Sequence, residues 1–356
     1  MPRPPKGVTI NDVAAKAGVS LSTVSRALNG NPTVDPALVA RVQDAAAELN
    51  YTASPVARSL VLGRTQTVAV VVPDLGNPTF QAILRGLSRA AAADDYHVLV
   101  ADSAESVDEE RVLAAATRRR TDGIVLCAPR LPQEELERLV GGLRPVVLVN
   151  RSAGATPAVR ADYRSALADE LAHLHGLGHR RIVFLAGVAR SVANAARLEA
   201  IADFRAAHPD VVVDELPCGV DFDAGAASAA AVLASGATAA VAFNDLVAMG
   251  LLSAAQSAGR RVPDDLSIVG FDDIPFAAYT TPPLTTAAVP PQSWALRHGS
   301  ACGTCSTAPS RGSRCGCVRS SSPEARPGPP PPDRIHPAPA RPVDRRATLR
   351  KRFLEE

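Results

Sequence analysis

Three regimes of apolar spacing divide the 356-residue chain. From Val8 to Tyr51 apolar residues recur three and four apart, the period of helices buried on one face. Val13, Ala14 and Ala17 share one such face, Val24 and Leu28 a second, and Leu38, Val39, Val42, Ala46 and Leu49 a third. The polar punctuation agrees. Thr9 is placed to cap the first helix, with Asp12 three residues on to complete a capping box. Gly18 ends that helix, because glycine turns left-handed without a Cβ clash, and Ser20 caps the next. Asp35 and Pro36 supply the cap and first position of the third helix, which Asn50-Tyr51 closes. Two short helices joined by a tight glycine turn are the helix-turn-helix plan, whose second helix enters the DNA major groove. Leu21, Ser22, Ser25 and Arg26 lie off its buried stripe.

From Thr67 the apolar residues collect into short runs that alternate with helical stretches. TVAVVVP, HVLVA, GIVLC and PVVLV are expected to be buried strands, separated by helices around Phe80 to Ala93, Asp108 to Arg119 and Pro132 to Val140. RIVFLAG, VVVDEL, AAVAF and LSIVGF repeat the alternation, with helical segments near Leu167, Phe204, Ala227 and Val247. Strands apolar on both faces and separated by helices predict parallel sheets covered on both sides. The stretch Arg151 to Val159, with Gly154 and Pro157, is read as the break between two doubly wound lobes. Ligands bind such sheets at the carboxyl ends of the strands. Three residues there suit a small polar ligand: Phe80 to stack on a ring, Asn244 to donate and accept, Asp272 to accept hydroxyl protons. From the residues alone, Asn244 suits a helix cap equally well, and Asp272 a turn.

Beyond Gln292 neither period survives. Ten of the thirty prolines, four of the six cysteines (Cys302, Cys305, Cys315 and Cys317) and the only tryptophan fall in residues 292–356. A Pro/Arg/Cys-rich segment of this kind is expected to be disordered. Four thiols equal a zinc ligand set in number, but the Cys-X-Cys half is spaced more tightly than common structural sites, so no metal is expected. Residues 65–291 hold no glycine-rich phosphate loop, nucleophile elbow or metal-ligand cluster; His173, His175 and His179 read as helix-surface or turn residues. Neither an enzyme nor a cofactor is expected.

Charge sharpens the division. Residues 1–64 hold seven Lys/Arg against four Asp/Glu, and residues 292–356 hold twelve against five. The net charge of +2 therefore conceals an acidic middle between basic ends. Nucleic-acid affinity is assigned to the front, where Lys6, Lys16, Arg26, Arg58 and Arg64 face phosphates and Arg41 is read as an ordinary surface charge. No apolar stretch reaches membrane-span length, and MPRPPKGVTI lacks a signal-peptide core, so a cytoplasmic location and no membrane partner are expected.

The run VTINDVAAKAGVSLSTVSRALNG, with its turn AGVS and its segment STVSR, resembles the DNA-reading headpiece of the LacI/GalR family of bacterial transcriptional regulators. The likeness continues through PDLGNPTF, GLGHRRIVFLAG, FNDLVAMG and VPDDLSIVGFDDIPFAAYTTPPLTT, to about Val289. It implies an α/β chain in four parts: a helix-turn-helix headpiece (1–52), a hinge (53–64), a two-lobed periplasmic-binding-protein type I core that senses an effector and dimerises (65–291), and the aberrant tail (292–356). It also implies a homodimer on near-palindromic, double-stranded operator DNA, released or retained through a sugar or nucleoside effector, with repression as the outcome. Leu21 and Ser22 would choose bases and Arg26 would contact guanine. Ser20, Thr23, Ser25 and Asn29 would bind phosphate, and Thr9 joins this DNA-facing set. In the hinge, Leu60 stands where the family wedges a leucine into the minor groove, with Ala57 beside it. Phe80, Asn244 and Asp272 match effector-contact positions. The family's arginine, four residues before an aromatic, would fall at Ala200; Arg197 is the nearest candidate.

The tail departs from the family, which continues with a helix on the first lobe and a final strand. With GC-rich codons, a shifted frame through Gln292–Ala295 spells Glu-Leu-Gly, and through Val318–Ser321 Pro-Glu-Leu-Val, both family-like. A frame-shifted ending, and with it an impaired regulator, is therefore one alternative. A solute sensor without DNA binding is another, and the headpiece argues against it.

Overall fold

The computed structural model describes residues 8–52, 59 and 63–288. The hinge residues Ala57 and Leu60, and the tail from 292, lie outside the described residues. Among those described, no helix is long and apolar enough to cross a membrane.

Three helices form the headpiece: α1 (Ile10–Ala17), α2 (Leu21–Leu28) and α3 (Pro36–Glu48). Each begins where its polar residues dictate. The Thr9 backbone N–H donates to the Asp12 carboxylate at 2.8 Å, Ser20 Oγ accepts from the Thr23 N–H at 3.2 Å, and Asp35 accepts from the Ala37 N–H at 2.8 Å. Gly18 sits at φ +62°, left-handed as the turn requires. Val13, Val24 and Val42 are fully buried at the centre, surrounded by Ala14, Ala17, Ala27, Ala45 and Ala46. Small side chains bring the helices close. Leu38, predicted on the buried face of α3, is only half-buried and lies outside this core, where Ala45 stands instead.

The first lobe is a five-stranded, all-parallel sheet in the order β2-β1-β3-β4-β5. Its strands are β1 (Thr67–Val72), β2 (His97–Asp102), β3 (Gly123–Cys127), β4 (Val146–Val149) and β5 (Ala158–Val159), and its helices α4 (Pro78–Ala93), α5 (Val107–Arg118) and α6 (Gln133–Gly142). β5 is a correction: within the stretch read as a break, Ala158 and Val159 pair with Leu148 and Val149 and belong to the sheet. The second lobe has strands β6 (Arg181–Ala186), β7 (Val212–Pro217), β8 (Ala239–Ala242), β9 (Ser267–Asp272) and β10 (Thr285–Ala288), ordered β10-β9-β8-β6-β7. Helices α7 (Tyr163–Gly176), α8 (Val192–Ala207), α9 (Phe222–Ala234) and α10 (Asp245–Ser257) cover it.

Each sheet is covered by helices on both faces, which is why its central strands β1, β3, β4, β6 and β8 are nearly unbroken Val, Ile, Leu and Ala. One face of the first sheet, with Val70, Val72 and Val125, packs with Ile83 of α4 and is continuous with Ala166, Phe271 and Ala287 of the second lobe. The lobes thus share apolar packing beside the strand ends that form the cleft.

Helices α9 and α10 approach unusually closely. A Cβ added to Gly225 would lie 2.1 Å from the Val247 carbonyl oxygen, and one at Gly250 2.0 Å from that of Phe222. Those atoms are backbone and cannot swing aside. Gly250→Ala is expected to lower stability by about 2–3 kcal/mol through overpacking, which denaturant unfolding of the variant against the parent will measure.

Candidate functional site

The headpiece presents one polar helix face. On α2, Leu21 is 47% exposed and Ser22 and Arg26 are exposed, while Val24 and Ala27 hold the helix to its neighbours. Side chains at the helix start are ordered among themselves: Ser20 Oγ lies 2.9 Å from both Ser22 Oγ and Thr23 Oγ1. Arg26 Nε donates to the Ser22 carbonyl at 3.2 Å, and Asn29 Nδ2 to that of Ser25 at 2.8 Å. Thr9 is exposed at the start of α1, its hydroxyl held by Asp12 at 2.8 Å. Lys16 forms an ion pair with Glu48, tying α1 to α3. The free amide donors at the starts of α1 and α2, together with these hydroxyls, suit phosphate. Leu21, Ser22 and Arg26 suit base edges.

The second site is the cleft between the lobes, at the carboxyl ends of β1, β3, β4, β6, β8 and β9. Its lining includes Asp74, Phe80, Arg130, Tyr163, Arg197 and Asp272. Asn77 caps α4 by accepting from the Thr79 N–H at 2.9 Å, which fixes where Phe80 enters the lining. Arg130 makes a two-pronged bond to Glu105, at 2.6 and 2.8 Å, so this pair enters the cleft already neutralised. Asn150 Nδ2 donates to Tyr163 Oη at 2.7 Å, joining β4 to the start of α7.

Arg197 is the centre of the site. It is 1% exposed, and its guanidinium carbon sits 4.6 Å from the ring centre of Tyr163, 4.6 Å from that of Phe243 and 4.0 Å from that of Phe271. Its Nε and Nη1 are buried without a hydrogen-bond partner among the described residues. Aromatic faces attract a cation but accept no conventional hydrogen bond, so these two donors remain without one. Burial lowers the Arg197 pKa, while Tyr163, Asp272 and Glu170 oppose that shift. Gly187 makes the cage possible: a Cβ there would lie 2.5 Å from the Phe243 ring.

Carboxyl groups around this cation are shifted the other way. Burial raises Asp272 to about 6, with Arg197 limiting the rise. Burial likewise carries Glu170 and Asp245 well above the usual carboxylate range. Asp74 is raised by burial, with Asp102 and Glu105 adding to it.

Of the four residues expected to meet the effector, the structure brings Phe80, Arg197 and Asp272 to one cavity. Asn244 does not line it. Its Oδ1 accepts from the Val247 N–H at 2.9 Å and its Nδ2 donates to the Val220 carbonyl at 2.8 Å, so both ends of the amide are committed to capping α10 and holding the β7–α9 loop. Helix phase separates positions 197 and 200. Arg197 faces the cleft, whereas Ala200 packs in the lobe's core with Ile201 and Phe204. Sequence reasoning missed Asp74, Arg130 and Tyr163. Arg130 carried one usable signal, its place just after the buried strand GIVLC; Tyr163 carried none.

Comparison with known proteins places this geometry. The family model for bacterial regulatory proteins of the lacI family matches residues 9–54, and that for a periplasmic binding protein-like domain matches residues 171–297. The HTH-type transcriptional repressor CytR of Escherichia coli (strain K12) is 35% identical over 289 residues, covering 79% of this chain and 85% of that protein. Catabolite control protein A of Priestia megaterium is 31% identical over 293 residues, covering 80% and 88%. The lac repressor dimer bound to operator and an anti-inducer superposes with a TM-score of 0.76 at 25% identity, over 85% of this chain and 93% of that one. The transcriptional regulator CelR in complex with cellobiose gives 0.59 at 27% identity, over 83% and 92%. The fold and the two sites thus define a DNA-binding transcriptional regulator with a periplasmic-binding-protein-like sensing core. The chain belongs to the LacI family.

Because Asp272 titrates higher folded than unfolded, it favours the folded state most when protonated. That contribution is complete below about pH 4 and is lost as pH rises through about 6. Asp272→Asn removes it. The melting temperature of the variant relative to the parent should therefore rise between about pH 4 and about pH 7, as thermal melts across that range will show.

Proposed function

We propose that this protein is a repressor that holds operator DNA as a homodimer and is gated by an uncharged polyhydroxylated ligand of the sugar or nucleoside class. The observation that carries the effector reading is Arg197, a desolvated cation with two unpartnered donors beside the Asp272 carboxyl. A ring bearing neighbouring hydroxyls satisfies both: its oxygens accept from Arg197, its hydroxyls donate to Asp272, and Phe80 offers an apolar face. Lys16 is engaged with Glu48, so among the described headpiece cations Arg26 is the one favoured for direct DNA contact. The hinge and its Leu60 wedge remain part of this reading, as do the assigned roles of Leu21, Ser22, Thr23, Ser25 and Asn29. So does the division of the chain at residues 52, 64 and 291.

Ligand would act by changing the balance between two lobe arrangements, and with it the spacing of the headpieces on DNA. No bond-making step is assigned to the cleft, and the operator partner supports a reading in which the protein works in the bacterial cytoplasm. A second copy would find uncovered aromatic surface on the second lobe, where Phe276 is 55% and Tyr279 86% exposed on the short turn Pro275–Tyr279. The shifted-frame reading of the tail is tested by resequencing the gene across residues 290–332.

The ligand class is tested by calorimetric titration with a panel of sugars and nucleosides. One class should bind, and Arg197→Met should abolish its binding while leaving operator affinity intact. Binding that is indifferent to Arg197 would overturn the assignment. Arg26→Ala should weaken binding to the selected operator about tenfold or more, in line with about 1–3 kcal/mol for a good base contact, measured by gel shift at fixed salt. Tyr279→Asp should convert a dimer to a monomer in sedimentation velocity.

A further inference from the structure

At the opposite end of the second lobe's strands from the cleft, three metal-type ligands converge from three points in the chain. His175 lies in the last turn of α7, His208 follows α8 as its terminal residue, and Asp210 precedes β7. One ligand atom from each lies within 4.8 Å of the others. We propose that His175, His208 and Asp210 form a binding site for a divalent transition metal of the zinc class, independent of the effector cleft.

The surroundings favour this use. His175 Nε2 is shut off from solvent and reaches Asp210 Oδ2 only at 3.5 Å, too long for a well-formed hydrogen bond. A shielded ring nitrogen without a short partner is the costly arrangement that a metal would relieve. The two imidazoles lie 4.5 Å apart, and both rest on Phe204, at 6.0 Å for His175 and 4.4 Å for His208. Phe204 is buried in the lobe's core, so the rings are backed by a fixed apolar wall.

Arg180 completes the setting. It holds Asp210 Oδ2 at 2.9 Å from its Nε and donates from Nη1 to the His175 carbonyl at 3.0 Å. Arg180 also sets a limit, because a guanidinium beside the carboxylate repels a second cation. The site should therefore bind more weakly than an all-thiolate one.

Two imidazoles and one carboxylate suit zinc and leave its fourth position to water. With metal–ligand distances of about 2.1 Å, tetrahedral ligands lie about 3.4 Å apart, so closing the site takes about 1.4 Å of side-chain movement. Metal bound here would clip the end of α7 to the α8–β7 loop. His175 was expected to be a plain helix-surface residue; its partners arrive from more than thirty positions away, beyond the reach of any local motif.

Equilibrium dialysis of the full-length chain against zinc chloride, with bound metal read by atomic absorption, tests the site. The tail cysteines are first removed as a competing thiolate source by Cys302→Ser, Cys305→Ser, Cys315→Ser and Cys317→Ser. That protein should hold one equivalent of zinc and melt higher in its presence. Adding His175→Ala and His208→Ala should remove both the bound equivalent and the rise, and Asp210→Asn should weaken binding at least tenfold. If the double-histidine variant does not fold, Asp210→Asn decides by itself. No bound zinc in the cysteine-free protein, or an equivalent that survives these replacements, would overturn the proposal.

Discussion

The sensing half of this protein is organised around a buried positive charge that the protein itself does not neutralise fully. Removing a guanidinium from water is costly unless other groups compensate. Here three aromatic faces and the Asp272 carboxyl share that task, and they come from different places: Tyr163 from the start of α7, Phe243 from the end of β8, Phe271 and Asp272 from the end of β9. The cage therefore exists only when the second sheet is assembled. It also leaves Nε and Nη1 buried without a hydrogen-bond partner among the described residues.

Nearby acids are shifted upward by burial, against the pull of this charge on Asp272 and Glu170. Glu170, Asp245 and Asp272 are all raised by burial, yet one cation cannot fully stabilise three carboxylates. Protons supply the remainder. Of these acids Asp272 lines the cleft, Glu170 is coupled to the same arginine and Asp245 to Asp272, while on the facing lobe Arg130 and Glu105 neutralise each other.

What was legible in the sequence was local. Ser20, Asp35 and Gly18 act within three residues of themselves, so their roles could be read before any fold was known. Valine-rich strands identified themselves by composition because both faces are covered. The short strand β5 and the polar β10, Thr285–Ala288, escaped because neither has an apolar run long enough to register. In the cleft, Asp272 ends a strand and Phe80 lies in the first turn of the helix that follows β1, whereas Tyr163 begins a helix with no long apolar strand just before it. Asn244 shows the converse: it stands at a strand's carboxyl end, but its Oδ1 caps the helix that begins there and its Nδ2 holds the Val220 carbonyl.

Gly187 carries a consequence for how ligand choice changes within such a scaffold. The Phe243 ring occupies the space that any side chain at position 187 would take, so the two positions are alternative sources of the same wall. A substitution at 187 alone evicts the aromatic and uncovers the arginine; one at 243 alone leaves a void beside it. Drift toward a new effector therefore has to pass through both positions together, which makes this pair a point where evolution of specificity, or its redesign, proceeds by paired steps.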